Sequence, residues 1–468
     1  MSDLFDDALD LLRLRLGPAG LLVGDDASGH AADASAVAPV APIAVVRPAN
    51  ARDVAEVLGI CARHRLGVTV QGGRTGLCGG ATPSPGSLAM SLERMVGVEE
   101  IDERAMTITA RAGTPLQTVQ EAAKAKGLFF PVDFGARGSA TIGGIVATNA
   151  GGNRVLRYGM TRASVLGLEA VLADGTIGSS MNKMLKNNAG YDLKQLFVGS
   201  EGTLGVVTRA VFQLQPEPSW IGLALVAVAG FDDASALLAS ARRSLGPILS
   251  AFEIMWPDYW TMVTRHVAGR RDPFDRPHGL YVLIEGHGQN GEREGEAFDA
   301  WLEQVFDEIE IADAVLARSL SDIDQFWAIR DSSAEIEPVL GDHGSFDVGL
   351  PPSEVGRFVE ACRTALEDAP GCGPAVFFGH AADGNVHVMA STPSPGEEGL
   401  LALERIVYDV TRRFGGSISA EHGIGSLKRN WLAHSRSETE IALMRALKQT
   451  LDPLGLLNPG KVLPTPEP

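Results

Sequence analysis

Three stretches in the first half of this chain are written almost wholly in glycine and small residues. They are Gln71-Gly72-Gly73-Arg74-Thr75-Gly76-Leu77-Cys78-Gly79-Gly80, the run from Gly135 to Gly152, and Gly199-Ser200-Glu201-Gly202-Thr203-Leu204-Gly205. Backbone without Cβ atoms can approach a ligand or another segment closely, and successive N–H groups in such a loop form a nest for phosphate. The first stretch directly follows Gly67-Val68-Thr69-Val70, which reads as a buried strand. It has neither GxGxxG nor Walker spacing, so the Rossmann and P-loop readings do not apply. Three such loops in one domain point to a long ligand lying against exposed backbone. On glycine content alone, tight turns without a ligand account for them equally well.

A different chemistry is concentrated near the C-terminus. Gly379-His380-Ala381-Ala382-Asp383-Gly384-Asn385-Val386-His387 and Ser419-Ala420-Glu421-His422-Gly423-Ile424-Gly425 hold three histidines and a glutamate. Asp383-Gly384-Asn385 is a turn signal between two apolar runs, 375–378 and 386–389, and a hairpin there brings His380 and His387 together. Taken singly, each histidine is more often a packed or surface residue. Together, two imidazoles and a carboxylate suit a zinc-like divalent ion with one position left open. The expected ligands are His380, His387 and Glu421, which leaves His422 as a proton acceptor. On a regular strand Glu421 and His422 would face opposite sides. Gly423 and Gly425 instead predict a turn that lets both face one cavity.

Acidic residues outnumber basic ones, 58 to 40, for a formal net charge of -18. That disfavours nucleic acid as a partner. It does not exclude an anionic substrate, because a buried local site can be positive on a negative protein. Cys61, Cys78, Cys362 and Cys372 form no CxxC pair, which argues against an iron–sulfur centre and for a reducing compartment. The acidic start, Met1 to Asp7, is unlike a signal peptide, and the apolar run 221–231 is too short to span a bilayer. A cytoplasmic location is the expectation, and peripheral membrane contact is compatible with it. Helices are expected over 3–15, 51–63 with Asn50 as cap, 234–244, 293–309 and 400–414. Another starts with Thr114 as cap and Pro115 at the first helical position. Asp174-Gly175 marks a hairpin. Gln215-Pro216-Glu217-Pro218 marks a boundary, beyond which strand–helix alternation suggests a separate α+β domain.

The wording of Gly72–Gly80, Gly138–Gly152, Gly190-Tyr191-Asp192-Leu193-Lys194-Gln195-Leu196-Phe197 and Gly199–Gly205 resembles the FAD-linked oxidase superfamily of the vanillyl-alcohol oxidase or p-cresol methylhydroxylase type. The GHxxDGNxH and EHGIG stretches, with Leu457-Asn458-Pro459-Gly460-Lys461, are similar to its D-lactate and D-2-hydroxyglutarate dehydrogenase branch. The resemblance runs over nearly the whole chain. It implies an α+β fold with a two-part FAD-binding domain over residues 1–216. A substrate or cap domain with the metal site follows over 217–455, and a C-terminal segment, 456–468, returns to the flavin. It implies FAD in an extended pose, its pyrophosphate held by Gly72, Gly73, Arg74, Thr75, Gly76, Cys78 and Gly79 and by Ser139, Gly143 and Gly144. Asn149, Glu201, Gly202 and Gly205 would lie along the rest of the cofactor, with Asn458 at the isoalloxazine. Some relatives attach the flavin through a histidine in the first loop; here that stretch holds Arg74 and no histidine, so non-covalent FAD is expected.

The resemblance further implies oxidation of a D-2-hydroxy acid to the 2-oxo acid. A divalent metal, zinc for preference, would sit at His380, His387 and Glu421. His422 is then the base, Arg330 the partner of the substrate C1 carboxylate, and Asn385 a partner of substrate oxygens. One departure concerns the far end of the substrate. The 2-hydroxyglutarate enzymes carry a lysine shortly before an Asp-Leu-Ser-Leu-Pro stretch, where this chain reads Gly344-Ser345-Phe346-Asp347-Val348-Gly349-Leu350-Pro351. Ala334 also replaces a hydroxyl residue. D-lactate and D-2-hydroxyglutarate therefore both stand, with Arg270 or Arg271 as other distal cations. No nicotinamide motif is visible, so a quinone, a cytochrome or an electron-transfer flavoprotein is the expected electron acceptor. A homodimer is compatible with this reading. Two other classes compete: a zinc hydrolase, and a flavin-binding subunit of a multi-subunit glycolate oxidase-like complex.

Overall fold

The computed structural model describes residues 2–464 apart from Pro393 and Pro395. Internal contacts divide them into two units. The first takes in the chain through Gly152, Gly159–Glu217 and everything from Glu421 onward; the second takes in Asn153–Tyr158 and Pro218–Ala420. The chain thus leaves the first unit for a short excursion after Gly152, rejoins it at Gly159, leaves again after Glu217 and returns at Glu421. Among the described residues no helix is long and apolar enough to cross a membrane.

The first unit holds two main sheets. A mixed four-stranded sheet has the order Leu21–Leu22, Val45–Val46, Leu88–Ser91, Val68–Gln71, with the last three strands parallel. Helices Ser2–Leu16 and Ala51–His64 pack against it through Leu12, Val54, Val57, Leu58 and Cys61. Asn50 caps the second helix by accepting from the Asp53 N–H. An antiparallel five-stranded sheet has the order Val98–Asp102, Thr107–Arg111, Val206–Gln213, Val165–Val171, Ile177–Ser180. The hairpin between the last two turns at Gly175, whose φ is +86°. One local expectation fails. Thr114 does not cap the helix Leu116–Lys124, whose N-cap is Pro115. The Thr114 hydroxyl is engaged with the Gly97 N–H and carbonyl instead, so a tertiary contact outcompetes the local cap.

The second unit is built on a seven-stranded sheet, antiparallel throughout. Its order is Ile311–Leu316, Trp220–Val228, Leu280–Gly288, Leu249–Met255, Ala375–His380, Asn385–Ser391, His343–Gly349. The expected hairpin between His380 and His387 is present. Directly paired residues share a face. One row across the sheet is therefore Leu283, Glu253, His380, Asn385, Gly349, and the next is Tyr281, Met255, Phe378, His387, Asp347. The apolar part of this face is covered by helices Pro257–His266, Leu320–Arg330 and Ser333–Leu340. Tyr259 stacks on Phe378 at 4.2 Å and Trp260 on Tyr281 at 4.0 Å between ring centroids.

Farther along the same face lies a buried carboxylate, Glu285. It accepts from Arg154 Nε (2.9 Å) and Nη2 (3.1 Å), Ser250 Oγ (2.7 Å) and Trp327 Nε1 (2.9 Å). His287 Nε2 stands 3.0 Å away. This ties the excursion Asn153–Tyr158 to the sheet. Burial raises the carboxyl pKa, but Arg154 and His287 outweigh it and hold the group far below the ordinary value of 4.5. A depressed folded pKa stabilises the fold above the unfolded value and loses that stability as pH falls below it. We therefore predict that stability from urea unfolding declines below about pH 4.5, with Glu285 contributing up to ~1.4 kcal/mol per pH unit. Glu285→Gln strands the Arg154 charge and should cost roughly 3–5 kcal/mol at pH 7, a cost that shrinks as pH falls. A pH-independent cost would show that Glu285 is not ionised.

Candidate active site

In the second unit His380 and His387 project from adjacent strands with their ring centroids 5.5 Å apart. Their potential ligand atoms lie within 4.8 Å of each other, and so do those of Asp347 and His387. Each imidazole faces a carboxylate across one strand pairing: Glu253 is in register with His380 and Asp347 with His387. Glu253 Oε1 is 2.7 Å from His380 Nδ1, and its Oε2 accepts from Arg330 Nε at 2.7 Å. Burial pushes the Glu253 carboxyl up, and the neighbouring His380 and Arg330 more than reverse this, leaving it below the ordinary range. Arg330, the last residue of its helix, is buried, lies 5.1 Å over the Phe378 ring, and reaches His380 Nε2 with Nη2 at 3.3 Å.

Asn385 is also buried on this face, and neither atom of its side-chain amide has a hydrogen-bond partner among the described residues. An amide stranded in that way costs about 1–3 kcal/mol, so the pattern fits a group that a ligand completes. Asp383 is the turn residue expected, accepting from the Asn385 N–H. At the far end, Ser345 and Ala334 are exposed and bring no cation. Arg270 donates to Ser332 Oγ at 2.8 Å and lies 3.5 Å from Glu335; Arg271 is exposed.

Glu421 to Gly425 belong to the first unit. Ala420, which closes the second, donates its N–H to the Asp347 carbonyl at 3.2 Å, and Glu421 and His422 are the next two residues. The segment is neither strand nor helix, and Gly423 and Gly425 take φ values of +84° and +53°. Both oxygens of Glu201 hold it, accepting from the Ile424 and Gly425 N–H groups at 2.7 Å each. Cys78 Sγ donates to the Gly423 carbonyl at 3.3 Å. A Cβ on Gly425 would stand 2.0 Å from the Cys78 carbonyl oxygen. Glu421 Oε1 accepts from the Gly152 N–H at 3.1 Å. Burial raises the Glu201 carboxyl pKa despite those two donors and the charges of Lys428 and Lys461. Burial likewise brings the Lys461 ammonium down to about 8.

The glycine loops meet one another. A Cβ on Gly73 would stand 1.9 Å from the Ser139 carbonyl oxygen, and one on Gly72 2.4 Å from Thr141 Oγ1. These two glycines are therefore required for loop-to-loop approach. Thr75, Gly76 and Gly79 continue the first loop, and Gly144 lies beside Thr141, whose hydroxyl is buried without a partner among the described residues. Gly143 packs on Ala112, Gly205 on Phe197, and Gly202 beside the Asn458 amide. Arg74 has a φ of +54° and points Nη1 to His30 Nδ1 at 3.3 Å. Asn149 Oδ1 accepts from the Arg162 N–H. Asn458 Oδ1 accepts from the Val70 N–H and its Nδ2 donates to the Glu201 carbonyl, so the side chain fastens the C-terminal segment to the strand Val68–Gln71. Sequence reasoning missed Glu253, Asp347, Glu285, Arg154 and Thr141. For two of them a signal existed: an acid inside an otherwise apolar strand, as in Ala251-Phe252-Glu253-Ile254-Met255 and Val282-Leu283-Ile284-Glu285.

Residues 217–462 match the FAD linked oxidases, C-terminal domain, and residues 42–179 match an FAD binding domain. The chain is similar to the mitochondrial D-2-hydroxyglutarate dehydrogenase of Arabidopsis thaliana. That pair is 38% identical over 417 residues, covering 89% of this chain and 74% of that protein. The D-2-hydroxyglutarate dehydrogenase of Xanthomonas citri pv. viticola is 37% identical over 429 residues, covering 91% of this chain and 90% of that one. In fold it is similar to p-cresol methylhydroxylase, with a TM-score of 0.79 at 16% identity over 99% of this chain and 97% of that chain. On these matches the chain belongs to the FAD-linked oxidases and is an FAD-dependent oxidoreductase.

Proposed function

We propose that the chain oxidises a D-2-hydroxy acid to the corresponding 2-oxo acid, with D-2-hydroxyglutarate and D-lactate as the two main candidates. Electrons would leave through a quinone, a cytochrome or an electron-transfer flavoprotein. The observation that carries this reading is the chain's similarity, over most of its length, to proteins named D-2-hydroxyglutarate dehydrogenase. The zinc hydrolase reading is set aside, because it leaves the FAD-binding domain without a use.

In this reading residues 1–216 hold the cofactor, 217–455 the substrate, and the segment 456–468, of which 465–468 lie outside the described residues, closes on the flavin. FAD, when bound, accepts the C2 hydride, and a divalent ion, when bound, acidifies the hydroxyl beside it. His380, His387 and Glu421 would hold that ion. The paired imidazoles support this, as does the position of Glu421 one residue beyond the backbone bond of Ala420 to Asp347. Two neutral nitrogens and one carboxylate are a donor set that zinc accepts.

The protein's own groups then divide the work. His422 removes the hydroxyl proton. Arg330 meets the C1 carboxylate with the guanidinium edge that Glu253 leaves over, a charge-assisted contact that fixes orientation as well as charge. Asn385 offers the substrate oxygens an amide that has no partner among the described residues. One anchored carboxylate, one anchored hydroxyl and one flavin face allow a single hydride orientation.

Three outcomes test this. Anaerobic addition of D-2-hydroxyglutarate or D-lactate to the purified chain should bleach the flavin absorbance, and the L enantiomers should not. Bleaching by an L acid with equal kcat/KM would contradict the site, and bleaching without turnover on any acceptor would favour the subunit reading. His422→Asn should lower kcat by roughly two to four orders of magnitude with FAD and metal content kept; near-normal kcat removes His422 from the mechanism. Finally, a chelator should abolish turnover while FAD stays bound, and re-added zinc should restore it. A metal-free preparation with full activity would dispose of the metal reading.

A further inference from the structure

We infer that Glu253 is a positioning residue that sets which nitrogen His380 offers to the metal. The inference rests on the metal reading above and adds the group that orients the ligand. Glu253 is almost wholly buried in a strand whose neighbours Phe252 and Ile254 are apolar. Its two oxygens are divided between the two functional side chains: Oε1 to His380 Nδ1 and Oε2 to Arg330 Nε, each at 2.7 Å. On the far side of the ring, Arg330 Nη2 lies 3.3 Å from His380 Nε2.

One neutral tautomer satisfies all three contacts. Arginine carries donors and no acceptor, so His380 Nε2 must present its lone pair to Nη2. The proton of the neutral ring then sits on Nδ1 and is donated to Glu253. The opposite tautomer would set an N–H against the guanidinium and leave a bare nitrogen against a carboxylate, losing both contacts. A doubly protonated ring would lose one. The direct strand pairing of Glu253 with His380 builds in this arrangement. It does not wait on loop closure. Nε2 thus keeps the lone pair, which a metal would take in place of the Arg330 Nη2 contact, and a carboxylate behind an imidazole also strengthens it as a donor. The same carboxylate fixes Arg330, so metal ligand and substrate anchor share one reference point. Stability alone is a weak reason to keep a charge here, because replacing a buried ion pair by apolar residues of similar volume is often neutral or stabilising.

Two measurements test the assignment. Nitrogen-15 NMR of histidine-labelled, metal-free protein, with His380 identified by the signal lost in His380→Gln, should show a protonated Nδ1 and a bare Nε2. A protonated Nε2 overturns the inference. Zinc affinity by competition with a chromophoric chelator should fall roughly 10–100-fold in Glu253→Gln and less in Glu253→Asp, with FAD content unchanged in both. Unchanged affinity in both variants overturns it. If Glu253→Gln does not fold, the aspartate variant and the wild-type NMR decide. If the wild type binds no zinc, the metal reading falls, and the hold of Glu253 on His380 is judged by the NMR result alone.

Discussion

A charge buried on the face of a sheet must find its partner within the fold, and this requirement organises the second unit. Taking a carboxylate or a guanidinium out of water costs several kcal/mol even after relaxation, against the ~0–1 kcal/mol that a surface ion pair returns. Glu253 and Glu285 both sit on strands that are mostly apolar, and neither is left alone. Glu253 meets Arg330 and His380; Glu285 meets Arg154, Ser250 and Trp327. The helix Leu320–Arg330 contributes to both sets, through Trp327 and Arg330 three residues apart on one helical face. The ionic part of the sheet face and the helix that covers it therefore fix one another.

The first unit solves a similar problem with backbone. A turn containing Gly423 and Gly425 has donor groups that no regular structure satisfies, and Glu201 accepts two of them. That carboxylate belongs to a residue with φ of +51°, followed by Gly202 at +71°, so the loop that supplies it is itself shaped by left-handed backbone. Both oxygens of that side chain accept from the stretch that carries Glu421 and His422. Glycine at 73 and 425 is likewise explained by carbonyl oxygens about 2 Å from where a Cβ would be. Part of the glycine signal thus encodes loops packed on loops.

Local chemistry was legible where it depends on neighbours in sequence. The Asn50 cap, the Asp174-Gly175 hairpin and the His380–His387 hairpin follow from short-range rules and are present. Thr114 shows the limit of such rules, since its hydroxyl had a better partner in Gly97. Periodicity could say that Glu253 shared a face with Met255. It could not say that His380, 127 residues away, would be the cross-strand neighbour. Nor does sequence order reveal that Asn153–Tyr158 leaves its surroundings to reach Glu285, or that the stretch after Ala420 is counted with the first unit. Both depend on long-range pairing, which composition and spacing do not carry.

The charge balance on the sheet face bears on how an anionic substrate can be held there. Arg330 is matched by Glu253 and Arg154 by Glu285, while Asp347 is a further buried acid on the same face. With the imidazoles neutral, these residues carry more negative charge than positive, on a chain that is already strongly acidic. A carboxylate approaching such a face gains little from Arg330 alone, because much of that guanidinium's field is spent on Glu253. A divalent ion at His380 and His387 would reverse the sign locally, since a bound ion is often the largest charge in its site. In the proposed reading, metal binding and substrate binding are therefore coupled through charge as well as through a shared hydroxyl. In that reading, the acidic residues that face the imidazoles would also make an anionic substrate depend on the metal.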